Sequence, residues 1–347
     1  MSIDLARAAY REISLYAPDR APCAVDLSDN TNLFGIPPAV ERALREVPPA
    51  VITRYPSLYA GELKGALARY VGVRAEEIVT GCGSDDVLDA AIRAFTEPGD
   101  RITFPEPSFA MIPIFARMNG LEPVPVPLTP EHDFDARRML ANEARVLYLC
   151  SPNNPTSTRA HHATIERLIA GATGIVILDE AYAEFDGPGL VGAAPGTARL
   201  LVTRTLSKAF GLAGLRIGYA AGAAALVAEV EKSRGPYKVN ALAERAALAA
   251  LGEGMDWVQE HIREVLRNRA RFMTALRALG LEPLPSEANF VLVPVRDATT
   301  ISTRMRERGV AVRPFPGLAG IGDSLRITIG PWAMMEACLA RLAEATG

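Results

Sequence analysis

Cysteine, histidine and tryptophan are scarce in this chain: four, four and two among 347 residues. Cys23, Cys82, Cys150 and Cys338 lie far apart and form no C-x-x-C pair. Cys150 ends an apolar run, which points to a buried thiol rather than a bridge. His161 and His162 are adjacent at the start of an expected helix, so they cannot share one helical face, and both should be exposed. His132 and His261 are isolated, so neither a metal site nor a catalytic histidine is expected. Long hydrophobic runs are missing too, since none approaches the roughly 18 residues of a membrane span. The opening "MSIDLARAAYREISLY" carries acids early and has no continuous apolar core, unlike a secretory signal. These absences predict a soluble, cytoplasmic protein with no membrane contact. No excess of positive charge exists either. The formal net charge of −3 leaves no footprint for nucleic acid. Arg263, Arg267, Arg269 and Arg271 share their helix with Glu260 and Glu264 and read as a solvated face.

What remains is a globular composition, 49% hydrophobic and 22% charged, which excludes disordered and fibrous classes. The length suits two domains. No repeat or low-complexity segment interrupts it. From about 75 to 235, short apolar runs alternate with amphipathic stretches. "IVT" (78–80), "RITF" (101–104), "VLYLC" (146–150), "GIVIL" (174–178), "LLVT" (200–203) and "RIGYAAG" (216–222) read as strands, several apolar throughout, as strands covered on both faces are. The pattern predicts an α/β fold with a mostly parallel sheet in a large domain. After about 240 a long helix (256–279) precedes strand "NFVLVPV", helix "TTISTRMRERG", strand "VAVRPF", strand "LRITIG" and a helix from Trp332, a smaller α+β C-terminal domain. The opening fifty residues should drape over both domains, and the expected division is an N-terminal arm over 1–30, a large domain over 31–240 and a small one over 241–347.

The chemistry gathers at strand ends. In "VTRTLSKAFGLAGLRIGY" (202–219) a strand feeds a turn with Thr205, Ser207 and Lys208, followed by glycines and Arg216. Two hydroxyls, an amine and a planar guanidinium suit a phosphate bearing a carbonyl; alone, the stretch also reads as a solvated loop. "VILDEAYAEF" (176–185) sets Asp179 at the end of an apolar strand, where a carboxylate needs a cationic partner such as a protonated pyridine nitrogen, or caps the next helix. Tyr182 stands three residues on. In "LCSPNNPTS" (149–157) a turn follows a strand, and Asn154 can donate an amide hydrogen bond. "GCGSDD" (81–86) opens a helix whose N–H groups at Ser84 and Asp85 make an anion site.

With these motifs the chain resembles the fold-type I pyridoxal-phosphate (PLP) aminotransferases of classes I and II, and among them the histidinol-phosphate aminotransferases. The resemblance covers nearly the whole chain and includes "RYP" (54–56), "PEPSF" (105–109) and "VRPF…LRITIG". It implies PLP as cofactor and Lys208 as the Schiff-base lysine that shuttles the substrate's α-proton. It implies further that Asp179 pairs with the ring nitrogen, Asn154 and Tyr182 bond the ring oxygen and Phe109 stacks on the ring. Ser84, Asp85, Thr205, Ser207 and Arg216 would hold the phosphate. Tyr55 would reach the partner subunit's cofactor phosphate in a homodimer.

For substrate, the resemblance points to Arg313 and Arg326 as anion anchors, with Tyr16 and Asn30 lining the pocket. The family's Asn-Glu-Asn-Pro stretch is Asn30-Thr31-Asn32-Leu33 here, and its usual glycine after Pro-Thr is Ser157. The leading expectation is a histidine-biosynthetic transaminase that interconverts L-histidinol phosphate and 2-oxoglutarate with imidazole-acetol phosphate and glutamate. An aminotransferase for aromatic or specialised amino acids, or a phospho-amino-acid decarboxylase on the same scaffold, stays open. A PLP-fold regulator would need a DNA-binding segment, for which the stretch before residue 30 is too short.

Overall fold

The computed structural model describes residues 5–11, 13–15 and 21–346. Its strands, in chain order, are β1 (Val25–Asp26), β2 (Ile78–Cys82), β3 (Arg101–Glu106), β4 (Glu122–Pro127), β5 (Val146–Cys150), β6 (Ile175–Asp179), β7 (Leu200–Thr205), β8 (Ile217–Gly222), β9 (Phe290–Pro294), β10 (Val310–Ala311), β11 (Arg313–Leu318) and β12 (Gly322–Thr328). Seven of them form one sheet in the order β2-β8-β7-β6-β5-β3-β4. Only β8 runs against its neighbours.

Strands β5 to β8 are buried from end to end, because alternate side chains feed two separate cores. Leu147, Leu149, Val176, Leu178, Leu200 and Val202 enter one core. Val146, Tyr148, Cys150, Ile175, Ile177 and Leu201 enter the other, as the period of two in a strand requires. Helices Ser84–Phe95 and Ala224–Arg234 pack on each other and on β2 and β8.

The C-terminal part builds a three-stranded antiparallel sheet, β11-β12-β9, which the helix Met255–Ala278 contacts at β9. The N-terminal arm touches both parts. Arg7 Nη1 donates to Met118 O at 3.2 Å, while β1 pairs in parallel with β10.

Three expectations need correction. "VAVRPF" is two strands, because Val310–Ala311 pairs with β1 whereas Arg313–Leu318 pairs with β12. Strand β4 was not anticipated in "EPVPVP"; it is an edge strand pairing only with β3, a position where prolines need not break a ladder. Arg269 leaves the solvated arginine face, since it pairs with Glu287 at 2.8 Å and donates to Ala288 O. Its neighbours Arg263, Arg267 and Arg271 are exposed, as are His161 and His162.

Candidate active site

Strands β2, β5, β6 and β7 end at the same edge of the large sheet, and antiparallel β8 begins there. That geometry brings Ser84 and Asp85 after β2, Asn154 after β5, Asp179 on β6, Thr205, Ser207 and Lys208 on or after β7, and Arg216 before β8 to one place. Two glycines permit the closeness. A Cβ on Gly218 would stand 2.0 Å from Ser84 N, and one on Gly83, at φ +83°, would stand 2.6 Å from Arg216 Nη2.

At one end the helix Ser84–Phe95 starts from Gly83, which has no side chain to cap it. Arg216 Nη2 lies 3.1 Å from Asp85 Oδ2. Thr205 Oγ1 lies 2.9 Å from Ser207 Oγ and accepts from Ser207 N at 3.1 Å. A helix N-terminus, a guanidinium and two hydroxyls together favour an anion.

Beyond them lie Asp179 and Lys208. Asp179 is buried; its Oδ2 accepts from Tyr148 Oη at 2.8 Å and its Oδ1 from Ala181 N at 3.1 Å. Burial pushes its carboxyl up to about 6, against the pull of those hydrogen bonds. Lys208 Nζ stands 5.6 Å from the centre of the Tyr182 ring. Burial, with help from the Arg326 charge, brings its ammonium down to about 8. An amine so shifted is available as a nucleophile near neutral pH. Tyr182 Oη accepts from Asn30 Nδ2 at 3.1 Å, and burial pushes this phenol up as well. Asn32 Nδ2 donates to Ala209 O at 2.9 Å, so the 30–33 stretch is tied beside Lys208.

From the small sheet, Arg326 donates to Asn154 Oδ1 at 2.7 Å and to Ser28 O at 2.7 Å, between the rings of Phe290 and Phe315 at 5.5 Å each. Arg313 is its register partner on β11, so the two arginines share one face of the sheet. Ser157, at φ +64°, keeps the left-handed backbone that a glycine would adopt. Its Oγ sits 3.2 Å from Pro285 O, and its carbonyl accepts from Glu287 N at 2.8 Å.

Phe109 is half-buried at the margin of the second core. Tyr55 is 86% exposed and stacked on Tyr237 with ring centres 5.1 Å apart. Tyr16 lies outside the described residues. Sequence reasoning missed Tyr148, whose signal was a phenol inside an otherwise aliphatic run, where its hydroxyl must find a partner. It also missed Ser28, Phe290 and Phe315, which only the fold brings to Arg326.

The family model for aminotransferase class I and II matches residues 23–344. A histidinol-phosphate aminotransferase of Caldanaerobacter subterraneus is 34% identical over 94% of each chain. An aromatic amino acid aminotransferase of Nocardia farcinica is 36% identical over 92% of this chain and 91% of its own. Among solved structures, the histidinol-phosphate aminotransferase of Sinorhizobium meliloti, in complex with pyridoxal-5'-phosphate, superposes with a TM-score of 0.87 at 26% identity, over 99% of this chain and 98% of its own.

Proposed function

The chain belongs to the class I and II aminotransferases, whose cofactor is PLP, and on that premise we propose that it transfers the amino group between L-histidinol phosphate and 2-oxoglutarate. The residues present fit the cofactor: an anion site at the strand edge, a half-buried lysine with its ammonium brought down, and a buried carboxylate in need of a cation. When bound, PLP supplies an electron sink for the charge left as the substrate's α-proton departs.

In this reading Ser84, Asp85, Thr205, Ser207 and Arg216 hold the cofactor's phosphate, with the backbone N–H groups of the first helical turn contributing. Lys208 Nζ anchors the cofactor and, once released by substrate, carries the α-proton. Asp179 keeps the ring nitrogen protonated, and Phe109 covers the ring. Asn154 has its amide oxygen held by Arg326, which leaves its NH₂ as the group that would donate to the ring oxygen, and Tyr182 would donate there too. Asn30 orients Tyr182.

The substrate assignment rests on the pairing of Arg313 with Arg326 across β11 and β12. Two guanidinium groups on one face suit a phosphate dianion better than a single carboxylate. The rings of Phe290 and Phe315 beside Arg326 also favour a second reading, an aminotransferase for aromatic amino acids. A half-reaction separates them. The PLP-loaded protein is mixed with L-histidinol phosphate, phenylalanine or tyrosine, without keto acid. Fast conversion of the cofactor to its amine spectrum by histidinol phosphate alone supports the leading reading; preference for phenylalanine or tyrosine would replace it.

The division into an arm over 1–30, a large domain over 31–240 and a small domain over 241–347 is supported by a seven-stranded sheet that lies within 78–222 and a three-stranded sheet within 290–328, with β1 of the arm paired to β10. Among the described residues no helix is long and apolar enough to cross a membrane, in keeping with a cytoplasmic enzyme. A homodimer in which Tyr55 reaches the partner's cofactor phosphate is supported by the exposed cluster of Ile52, Tyr55, Leu58, Tyr59 and Tyr237. Light scattering tests it, and a fully active monomer would refute it.

A further inference from the structure

We propose that Tyr148 is a positioning residue that holds Asp179 as a carboxylate, so that the proton between Asp179 and the cofactor's ring nitrogen stays on the nitrogen. This rests on the cofactor reading above and adds to it a residue outside every motif discussed so far.

The strand register explains how Tyr148 reaches its partner. On β5 and β6, Tyr148 faces Ile177 and Cys150 faces Asp179. Tyr148, Cys150 and Asp179 therefore lie on one face of the sheet, with Tyr148 one diagonal step from Asp179. A tyrosine spans that step, and its hydroxyl meets Asp179 Oδ2 at 2.8 Å. The residue is wholly buried. A phenylalanine would fill the same space without having to satisfy a buried hydroxyl, so what the hydroxyl adds is one hydrogen bond to a charge.

The Asp179 carboxylate is further supported by the backbone N–H of Ala181 and faces Thr203 in register on β7. The Asp85 carboxylate opposes its charge. The Cys150 thiol is turned to Pro152 O at 3.4 Å. Burial favours a neutral Asp179, and the Tyr148 hydrogen bond is the strongest influence acting the other way. A proton placed between a carboxylate and a pyridine nitrogen has two sites. Tyr148 and Ala181 donate more strongly to the arrangement in which oxygen is charged and nitrogen carries the proton. One hydrogen bond to a charged group biases such a partition by about ten- to hundredfold.

The test loads wild type and Tyr148→Phe with PLP labelled with ¹⁵N at the ring nitrogen and compares the ¹⁵N chemical shifts. The expected result is a protonated nitrogen in the wild type and a shift toward the unprotonated value in Tyr148→Phe, with kcat lowered about tenfold or more and KM little changed. A ¹⁵N shift and kcat equal to those of the wild type would overturn the proposal. If Tyr148→Phe does not retain cofactor, ¹³C-labelled aspartate in the apo-protein gives the second reading. A higher Asp179 pKa in the variant supports the proposal, and an unchanged one overturns it. Wild-type protein that takes up no PLP would instead defeat the cofactor reading.

Discussion

Arg326 and Asn154 lie 172 positions apart, yet Arg326 Nη1 sits 2.7 Å from Asn154 Oδ1. The contact joins the small sheet to the edge of the large one, so a group that would grip the substrate also holds the amide oxygen of a group that would touch the cofactor. The second guanidinium arm, on Ser28 O, fastens the N-terminal arm to the same point. Three segments thus meet on one side chain.

Arg326→Lys should therefore behave as a severe change. An ammonium is a point charge and cannot reproduce a planar fork that bonds Asn154, Ser28 and a substrate anion together. Hydrogen bonds involving a charged partner carry about 1.5–3 kcal/mol each. The expected fall in kcat/KM for L-histidinol phosphate is about a hundredfold, read by steady-state kinetics. A change below about threefold would remove Arg326 from the site.

Asp179→Asn should separate stability from turnover. Burial raises the Asp179 carboxyl from 3.8 to about 6, so between those values the folded apo-protein keeps a proton that the unfolded chain has lost. Stability then falls as pH rises through that window, and the full penalty, about 3 kcal/mol, applies above it. Asparagine escapes the penalty. Apo Asp179→Asn should be more stable than apo wild type at pH 7 and closer to it at pH 4, by urea denaturation, while its turnover with PLP is nearly abolished. Near-normal turnover would refute the assignment of Asp179.

The order of these motifs along the chain was enough to predict that the candidate cofactor residues gather at one edge of the large sheet. Asp179 ends an apolar run, Ser84, Lys208 and Asn154 stand within a few residues of a strand's end, and parallel strands bring such positions to one edge. The candidate substrate end was legible as residue types without contacts: Arg326 could be nominated, but Phe290 and Phe315 flank it only once β9 and β11 pair on either side of β12, and Asn154 and Ser28 reach it only in the folded chain. Tyr148 escaped because a tyrosine is a good strand former and blends into "VLYLC". Strand β4 escaped because the prolines of "EPVPVP" argue against a strand unless it is known to be an edge.

Ser157→Gly tests the departure from the family pattern. Serine at φ +64° bears a left-handed penalty of about 1–2 kcal/mol. Its Oγ contact with Pro285 O returns about 0.5–1.5 kcal/mol. The two nearly offset, so apo-protein stability should change by less than about 1 kcal/mol in chemical denaturation. A loss above about 2 kcal/mol would mean the hydroxyl, rather than the backbone shape, is what this position needs.

The pH dependence of cofactor capture should report Lys208 directly. Only the neutral amine attacks an aldehyde, and burial with the Arg326 charge lowers Lys208 from 10.5 to about 8. In stopped-flow absorbance at fixed PLP, the rate of uptake by apo-protein should rise about tenfold per unit below pH 7 and level off above about 8. Between about 8 and 10.5 the unfolded chain holds a proton that the folded chain has released, so this group makes apo-protein stability rise with pH across the same interval. Arg326→Ala removes the second cause of the depression, and its plateau should move to higher pH. A wild-type rate still climbing at pH 10 would show that Lys208 is an ordinary exposed lysine, and would leave the nucleophile unassigned.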